Sequence, residues 1–322
     1  MTRVGAIDCG TNSIRLLIAD LVPGDGPGGA PLLREVTREM QIVRLGEGID
    51  STGAISEAAM SRTLAAAEGY AAQCREAGCD RVRFVATSAS RDASNAADFV
   101  AGVQEAFGSF DVTPEVVSGE EEAALSFAGA TGPLRDAGAP GPYLVVDIGG
   151  GSTEFVLGDA TNTTVVASRS VDIGCVRMTE RHLHDDPPTE DQVWAALSDI
   201  VRAVDDAAST VDLSEVGTLV GLAGSVTTVT AHALGLPAYE RHRIHGAELP
   251  VEQVVDACTD LLLRPRSRRR DLPFMHEGRA DVIGAGALVW RTVIQRVAHD
   301  AGLRTVRASE SDILDGIALS QA

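Results

Sequence analysis

Residues 6–20 read AIDCGTNSIRLLIAD, an apolar strand, a short polar turn and a second apolar strand, and 139 positions later residues 145–159, VVDIGGGSTEFVLGD, repeat the plan. The offset lays Asp8 over Asp147, Gly10 over Gly149, Ser13 over Ser152 and Asp20 over Asp159. A chain of 322 residues has room for two cores, and a duplicated hairpin of this kind predicts two domains.

Strand and helix patterns alternate through both halves, which predicts an α/β fold. Residues 4–20 and 32–45 read as strands joined by a Gly- and Pro-rich loop at 23–31. A helix is expected over 55–78, a strand over 82–87 and a helix over 88–108. The second round brings a strand at 112–118, a helix at 120–131, a linker at 133–142 and the repeated hairpin at 143–158. A helix over 189–209, a strand at 218–224 leading into a helix at 225–234, and helices at 251–264, 279–299 and 311–319 complete the reading.

The turns carry the chemistry. Glycine admits φ > 0 and lets a ligand approach the backbone, so an Asp-x-Gly turn between strands presents N–H groups to an oxyanion. In DIGGGSTE, Gly149, Gly150 and Gly151 extend this cradle, Ser152 adds a hydroxyl, and Asp147 and Glu154 supply oxygens for a hard cation such as Mg²⁺. Anion donors beside cation ligands are the ingredients of phosphoryl transfer. The first turn offers Gly10, Thr11, Asn12 and Ser13 to phosphate and Asp8 as a further metal ligand. In TSASRDASN, Arg91 and Asn95 stand four apart at a helix start, both candidates for a phosphoryl oxygen, with Arg15 as another. Gly224 and Ser225 of GLAGSVTT lie at a strand-to-helix turn suited to anion binding.

Charge narrows the partners. A net charge of −19 disfavours nucleic acid and anionic membranes. Against it stands RPRSRRR at 264–270, whose Arg266, Arg268, Arg269 and Arg270 are candidates for a polyanion's landing site or for a solvated loop. The charge-free stretch 216–239 is long enough to span a bilayer, yet its Gly, Ser, Thr, His and Pro residues split it into strand, turn and helix. An apolar leader is missing from the MTRVGAID start, which points to the cytoplasm. Five cysteines without a C-x-x-C spacing indicate reduced thiols, neither a disulfide framework nor a zinc site.

Two such turns resemble the duplicated phosphate-binding domains of the actin, sugar-kinase and Hsp70 superfamily. In order and spacing, AIDCGTNSIRLLIAD, TSASRDASN, SGEEEA, VVDIGGGSTEFV and GLAGSVTT resemble the exopolyphosphatase and guanosine pentaphosphate phosphohydrolase (Ppx/GppA) family over essentially the whole chain, most of all its short two-domain actinobacterial forms. The resemblance implies two similar actin-like (ribonuclease H-like) domains flanking a cleft, residues 1–124 with about 304–322 and residues 125–303. It implies Mg²⁺ or Mn²⁺ as cofactor, a homodimer, and inorganic polyphosphate or guanosine pentaphosphate (pppGpp) as substrate. It also implies that Glu122, the glutamate before the alanine in SGEEEA, is the general base; on residues alone, Glu120, Glu121 and Glu122 equally suit a helix N-terminus, and Arg91 is the catalytic candidate for offsetting charge that develops on the transferred phosphoryl group. One departure stands out, since the family's LREG-like segment reads ILDG here, with Leu314 where an arginine is expected. A small-molecule kinase and a non-catalytic polyphosphate or nucleotide sensor are the competing readings; the glutamate triplet and the absence of a sugar-site pattern speak against the first, and Glu122 against the second.

Overall fold

The computed structural model describes residues 2–24, 31–110, 112–160 and 164–322. The chain divides into two compact units, Met1–Gly129 with Ile313–Ala322, and Ala130–Asp312. Most of the loop expected at 23–31 lies outside the described residues.

The first unit contains strands β1 (Thr2–Cys9), β2 (Ser13–Val22), β3 (Leu32–Ile42), β4 (Arg81–Ala86) and β5 (Glu115–Val116). Its helices are α1 (Ile49–Thr52), α2 (Glu57–Glu76), α3 (Ser88–Asp92), α4 (Ala96–Ala106), the start of α5 (Gly119–Asp136) and α13 (Ile313–Leu319). The second holds strands β6 (Tyr143–Ile148), β7 (Thr153–Gly158), β8 (Val165–Val171), β9 (Thr218–Leu222), β10 (Glu248–Pro250) and β11 (Thr305–Ala308). With them come α6 (Cys175–His182), α7 (Glu190–Ala208), α8 (Ala223–Ala233), α9 (Arg241–Ile244), α10 (Val251–Leu263), α11 (Arg266–Arg270) and α12 (Ile283–Ala301).

Among the described residues the sheets run β3-β2-β1-β4-β5 and β10-β11-β9-β6-β7-β8. In each, a three-stranded antiparallel meander built on the repeated hairpin continues into parallel strands, β4 and β5 beside β1, β9 and β11 beside β6. The period-two alternation of β2 shows why helices are needed on both faces. Ile14, Leu16 and Ile18 join the core under α2 and α4, whereas Leu17, Ala19 and Leu21 join a second core closed by Leu125 of α5 and by Ile313, Leu314, Ile317 and Ala318 of α13. Each such Leu or Ile, fully buried, contributes about 1.5–3 kcal/mol.

Several expectations are corrected. The chain returns to the first unit at Ile313 and not near 304, because Thr305–Ala308 pairs in parallel with β9 of the second sheet. The helix expected over 88–108 is two, α3 and α4, separated by Ala93–Asn95, where the Asn95 side chain is spent on loop backbone. Pro133 opens no linker; it sits within α5, whose Ala130, Thr131 and Leu134 are buried, and their packing offsets the hydrogen bond a proline cannot donate. Strand β8 and helix α6 were not foreseen: β8 is an edge strand of the sequence VVASRSV, without the alternation that marks a buried face. The uncharged stretch 216–239 folds as β9 followed by α8, and among the described residues no helix is long and apolar enough to cross a membrane.

Candidate active site

Both repeated turns close through the same bond: Gly10 N–H donates to Ser13 O at 2.9 Å, and Gly149 N–H to Ser152 O at 3.0 Å. What lies behind each turn decides where its remaining N–H groups point. In the second unit the N-terminus of α6 grips the loop from one side, Cys175 N–H donating to Gly149 O at 3.0 Å and Val176 and Arg177 N–H to Gly150 O at 2.9 and 3.1 Å. In a trans peptide the C=O and the following N–H point oppositely. Hence the N–H groups of Gly150 and Gly151 face away from α6, side by side, the concavity that binds oxyanions. Gly174 permits this grip, since a Cβ there would lie 2.2 Å from the Gly150 carbonyl.

The first unit reaches the same result with different parts. The segment after β3 takes the place of a helix: Gly46 N–H donates to Thr11 O at 2.9 Å, and Val43 and Arg44 N–H to Asn12 O at 3.1 and 2.9 Å, which turns the N–H groups of Asn12 and Ser13 the other way. Thr11 Oγ1 and Ser88 Oγ, 2.7 Å apart, fasten the turn to the start of α3.

The hairpins have diverged at one cross-strand pair. Asp8 faces Arg15 between β1 and β2, and Asp147 faces Glu154 between β6 and β7, so the same register position is neutralised in one unit and doubly acidic in the other. Arg15 binds Asp8 Oδ2 through Nε at 2.8 Å and Nη2 at 2.7 Å. Asp8 is thus held by a guanidinium, at odds with a metal ligand, and Arg15 is engaged by Asp8, at odds with a phosphate donor. Asp147 and Glu154 are both buried, and Glu154 Oε1 accepts from Ser170 Oγ at 2.8 Å. Two carboxylates on one sheet face beside an oxyanion cradle fit Mg²⁺, which takes one or two protein carboxylates and fills its octahedron with water and phosphate oxygens. Among the described residues no group of three or more His, Cys, Asp or Glu side chains gathers to hold a metal, so the protein would offer a cation here these two carboxylates alone.

Strands β1, β4 and β5 are parallel, so their carboxyl ends share one edge, the edge where open α/β sheets bind ligands. There Glu122 Oε2 and Val117 O each accept from Arg91 Nη1 at 2.8 Å. The glutamate triplet is sorted by its surroundings: Glu121 turns outward to Arg83 Nη2 at 3.0 Å, while Glu122 is 8% exposed. Asn95 is not a ligand group here, because both ends of its amide bond the backbone of Ile55 at 2.9 Å.

At the corresponding edge of the second sheet, Ala223 adopts φ 66° between β9 and the body of α8. A Cβ on Gly224 would lie 2.3 Å from the Arg279 guanidinium, so glycine lets that cation rest on the turn. Ser225 is buried at this turn, where a Cβ on Gly286 would lie 2.3 Å from its Oγ and 3.2 Å from the Cβ of Cys175. Sequence reasoning missed Tyr239 and Glu310 beside it: the tyrosine hydroxyl donates to Glu310 Oε1 and lies 2.7 Å from Thr227 Oγ1, and burial pushes the Glu310 carboxyl above its usual range. It also missed Gly174, whose signal was a glycine placed just before a helix.

The arginine cluster at 264–270 is largely self-neutralised. Arg269 is buried and donates to the carbonyls of Leu262 and Ala280, so it is a core residue and not a landing site. Arg266 and Arg270 share Asp281, Arg264 binds Asp260, and exposed Arg268 stands 3.7 Å from Asp271.

Paired oxyanion cradles at the carboxyl edges of two α/β sheets, one with an acidic pair suited to a divalent cation, define a protein that handles phosphoryl groups. The chain belongs to the Ppx/GppA phosphatase family, whose family model matches residues 22–321. It is 48% identical over 324 residues to exopolyphosphatase 2 of Mycobacterium tuberculosis, covering 100% of this chain and 99% of that one. It is similar to the crystal structure of an exopolyphosphatase-like protein, with a TM-score of 0.92 at 41% identity over 99% of this chain and 98% of the other. The Ppx/GppA enzyme of Aquifex aeolicus gives a TM-score of 0.77 at 28% identity, with 99% of each chain covered.

Proposed function

We propose that this protein is an exopolyphosphatase: a cytoplasmic, homodimeric enzyme of two actin-like domains that hydrolyses the terminal phosphate of inorganic polyphosphate with Mg²⁺ and a water activated by Glu122. The single observation that carries the reading is the selection of Glu122 from its triplet, buried and fixed by Arg91 at the sheet edge that also holds the Gly10–Ser13 cradle. The name of the mycobacterial relative supports the choice of substrate.

In this reading the N–H groups of Asn12, Ser13, Gly150 and Gly151 take phosphate oxygens. Glu122 accepts the proton of the attacking water as it bonds to the terminal phosphorus, and the bridging oxygen leaves with the shortened chain. Arg91 is a positioning residue first, since its Nη1 is bonded to Glu122 and to Val117 O. Asp147 and Glu154 would hold Mg²⁺, which when bound offsets charge on the phosphate oxygens.

The test is phosphate release from polyphosphates of several lengths, pppGpp and ATP, with and without Mg²⁺. A larger kcat/KM on polyphosphate than on the other two is expected. A preference for pppGpp would reassign the substrate, and no release from any of them would reject a hydrolase.

A further inference from the structure

Helices α2, α5 and α8 end alike. Each closes through a glycine at positive φ, Gly78, Gly138 and Gly235. In each, the residue after that glycine donates back over five positions, Cys79 to Cys74 O at 3.0 Å, Ala139 to Leu134 O at 3.0 Å and Leu236 to Ala231 O at 3.1 Å. The glycines themselves donate to Arg75, Arg135 and His232. This closure sets the outer two side chains against one another, normally as an apolar contact. At α5 and α8 the pairs are Leu134 with Ala139 and Ala231 with Leu236. At α2 both positions are cysteine.

The two thiols differ in setting. Cys74 is buried against β1, where a Cβ on Gly5 would lie 2.8 Å from its Sγ. Cys79 is partly exposed, and the bond from its N–H to Cys74 O brings the two cysteines together at the helix end. Arg3 lies over the same helix end, its Nη1 donating to Ala77 O at 3.0 Å and its backbone N–H to Asp80 Oδ2 at 2.8 Å. The hydrogen bond from Cys74, with help from the Arg3 charge and against burial and Asp80, draws the Cys79 thiol below its ordinary range, whereas Cys74 is held above it. A thiolate beside a protonated thiol is the arrangement of an attacking and a resolving cysteine.

We propose that Cys79 and Cys74 form a redox-active dithiol, with Cys79 the site attacked by peroxide or by a low-molecular-weight disulfide and Cys74 the resolving thiol. With peroxide, the Cys79 thiolate takes one oxygen, the O–O bond breaks, hydroxide departs and Cys79 becomes a sulfenic acid. Cys74 then attacks that sulfur, the S–O bond breaks and water leaves, so two electrons pass from the thiols to the peroxide. With a small disulfide, exchange at Cys79 releases one small thiol and closure by Cys74 releases the second. The 3.0 Å bond from Cys79 N–H to Cys74 O sets the two backbones against one another, and a disulfide needs its Cα atoms roughly 4.4–6.8 Å apart. Cys9, Cys175 and Cys258 are buried without a cysteine neighbour placed in this way, which makes them internal controls.

The experiment treats the full-length protein with hydrogen peroxide or glutathione disulfide, digests it with trypsin and maps the cysteines by mass spectrometry. Peptides 63–75 and 76–81 should appear joined, with two hydrogens lost, and dithiothreitol should separate them. Iodoacetamide should label Cys79 of the reduced protein at least about tenfold faster than Cys9, Cys175 or Cys258. In Cys74→Ala, which introduces the residue α8 carries at the same place, Cys79 should stop as a sulfenic acid that dimedone traps; in Cys79→Ala, Cys74 should stay reduced. Labelling of Cys79 no faster than the buried thiols, or its oxidation in the parent protein without a link to Cys74, would overturn the assignment and leave the pair as packing alone.

Discussion

At the residue scale, neighbouring acids of one triplet are separated by what each one faces. Glu122 meets Arg91 at a sheet edge, and Glu121 meets Arg83 in solvent. Glu122→Gln keeps the shape and removes the proton acceptor, so kcat on polyphosphate should fall by roughly 10² to 10⁴ while KM changes little. Glu121→Gln should leave both near the parent values, and steady-state kinetics on the two variants decides between them. The divergence of the hairpin pair yields a second expectation. Glu154→Gln removes one anionic oxygen from the acidic position, and the Mg²⁺ concentration for half-maximal activity should rise at least about tenfold, a cost of about 1.4 kcal/mol; an unchanged metal titration would exclude Glu154 from the cation. Types of residue were legible in the sequence, partners were not. Asn95 and Arg269 have the right chemistry for phosphate, and the fold spends them on Ile55 and on the carbonyls of Leu262 and Ala280. A sequence records a donor, but which acceptor it meets depends on segments as far as 40 positions away, as Ile55 and Asn95 are.

At the element scale, the repeated turn was readable because it is local: glycines, a strand on each side and a fixed offset suffice. The supports behind it were not, because they come from elsewhere in the chain and differ between the units, helix α6 in one and the segment 43–46 in the other. That difference sets up a matched comparison. Gly174→Ala puts a methyl group into the backbone of Gly150, where nothing can rotate away, and the loop should shift by enough to lower kcat/KM by roughly 10²-fold. Gly46→Ala meets the Thr11 side chain, 2.2 Å from Cγ2, which can turn aside only by giving up its bond to Ser88 but leaves the turn's backbone in place, so its loss should be several-fold smaller. Kinetics on both, with circular dichroism to show that each folds, checks the order; equal losses would mean that the supports are not what orients the N–H groups. The same dependence on distant segments explains why β8 escaped notice, its strand conformation being set by its β7 neighbour more than by its own pattern.

At the scale of the whole molecule, the first unit is assembled from both ends of the chain. Leu314 stands where the family resemblance led us to expect an arginine, and here it is 1% exposed in the core that α13 shares with β1, β2 and α5. Leu314→Arg would place an unpaired guanidinium in that core and should destabilise the protein by about 3–5 kcal/mol, read as a lowered midpoint in urea unfolding. A stable Leu314→Arg variant would mean that a partner for the cation lies within reach. Returning the last ten residues to the first sheet also orders events during synthesis. Domains usually complete in the order in which they leave the ribosome. Here the first unit cannot be completed until residues 313–322 have emerged behind residues 130–312, so the part translated first keeps one face of its sheet uncovered until then. A chain released early at residue 312 would then lose the older half of the protein while keeping the younger.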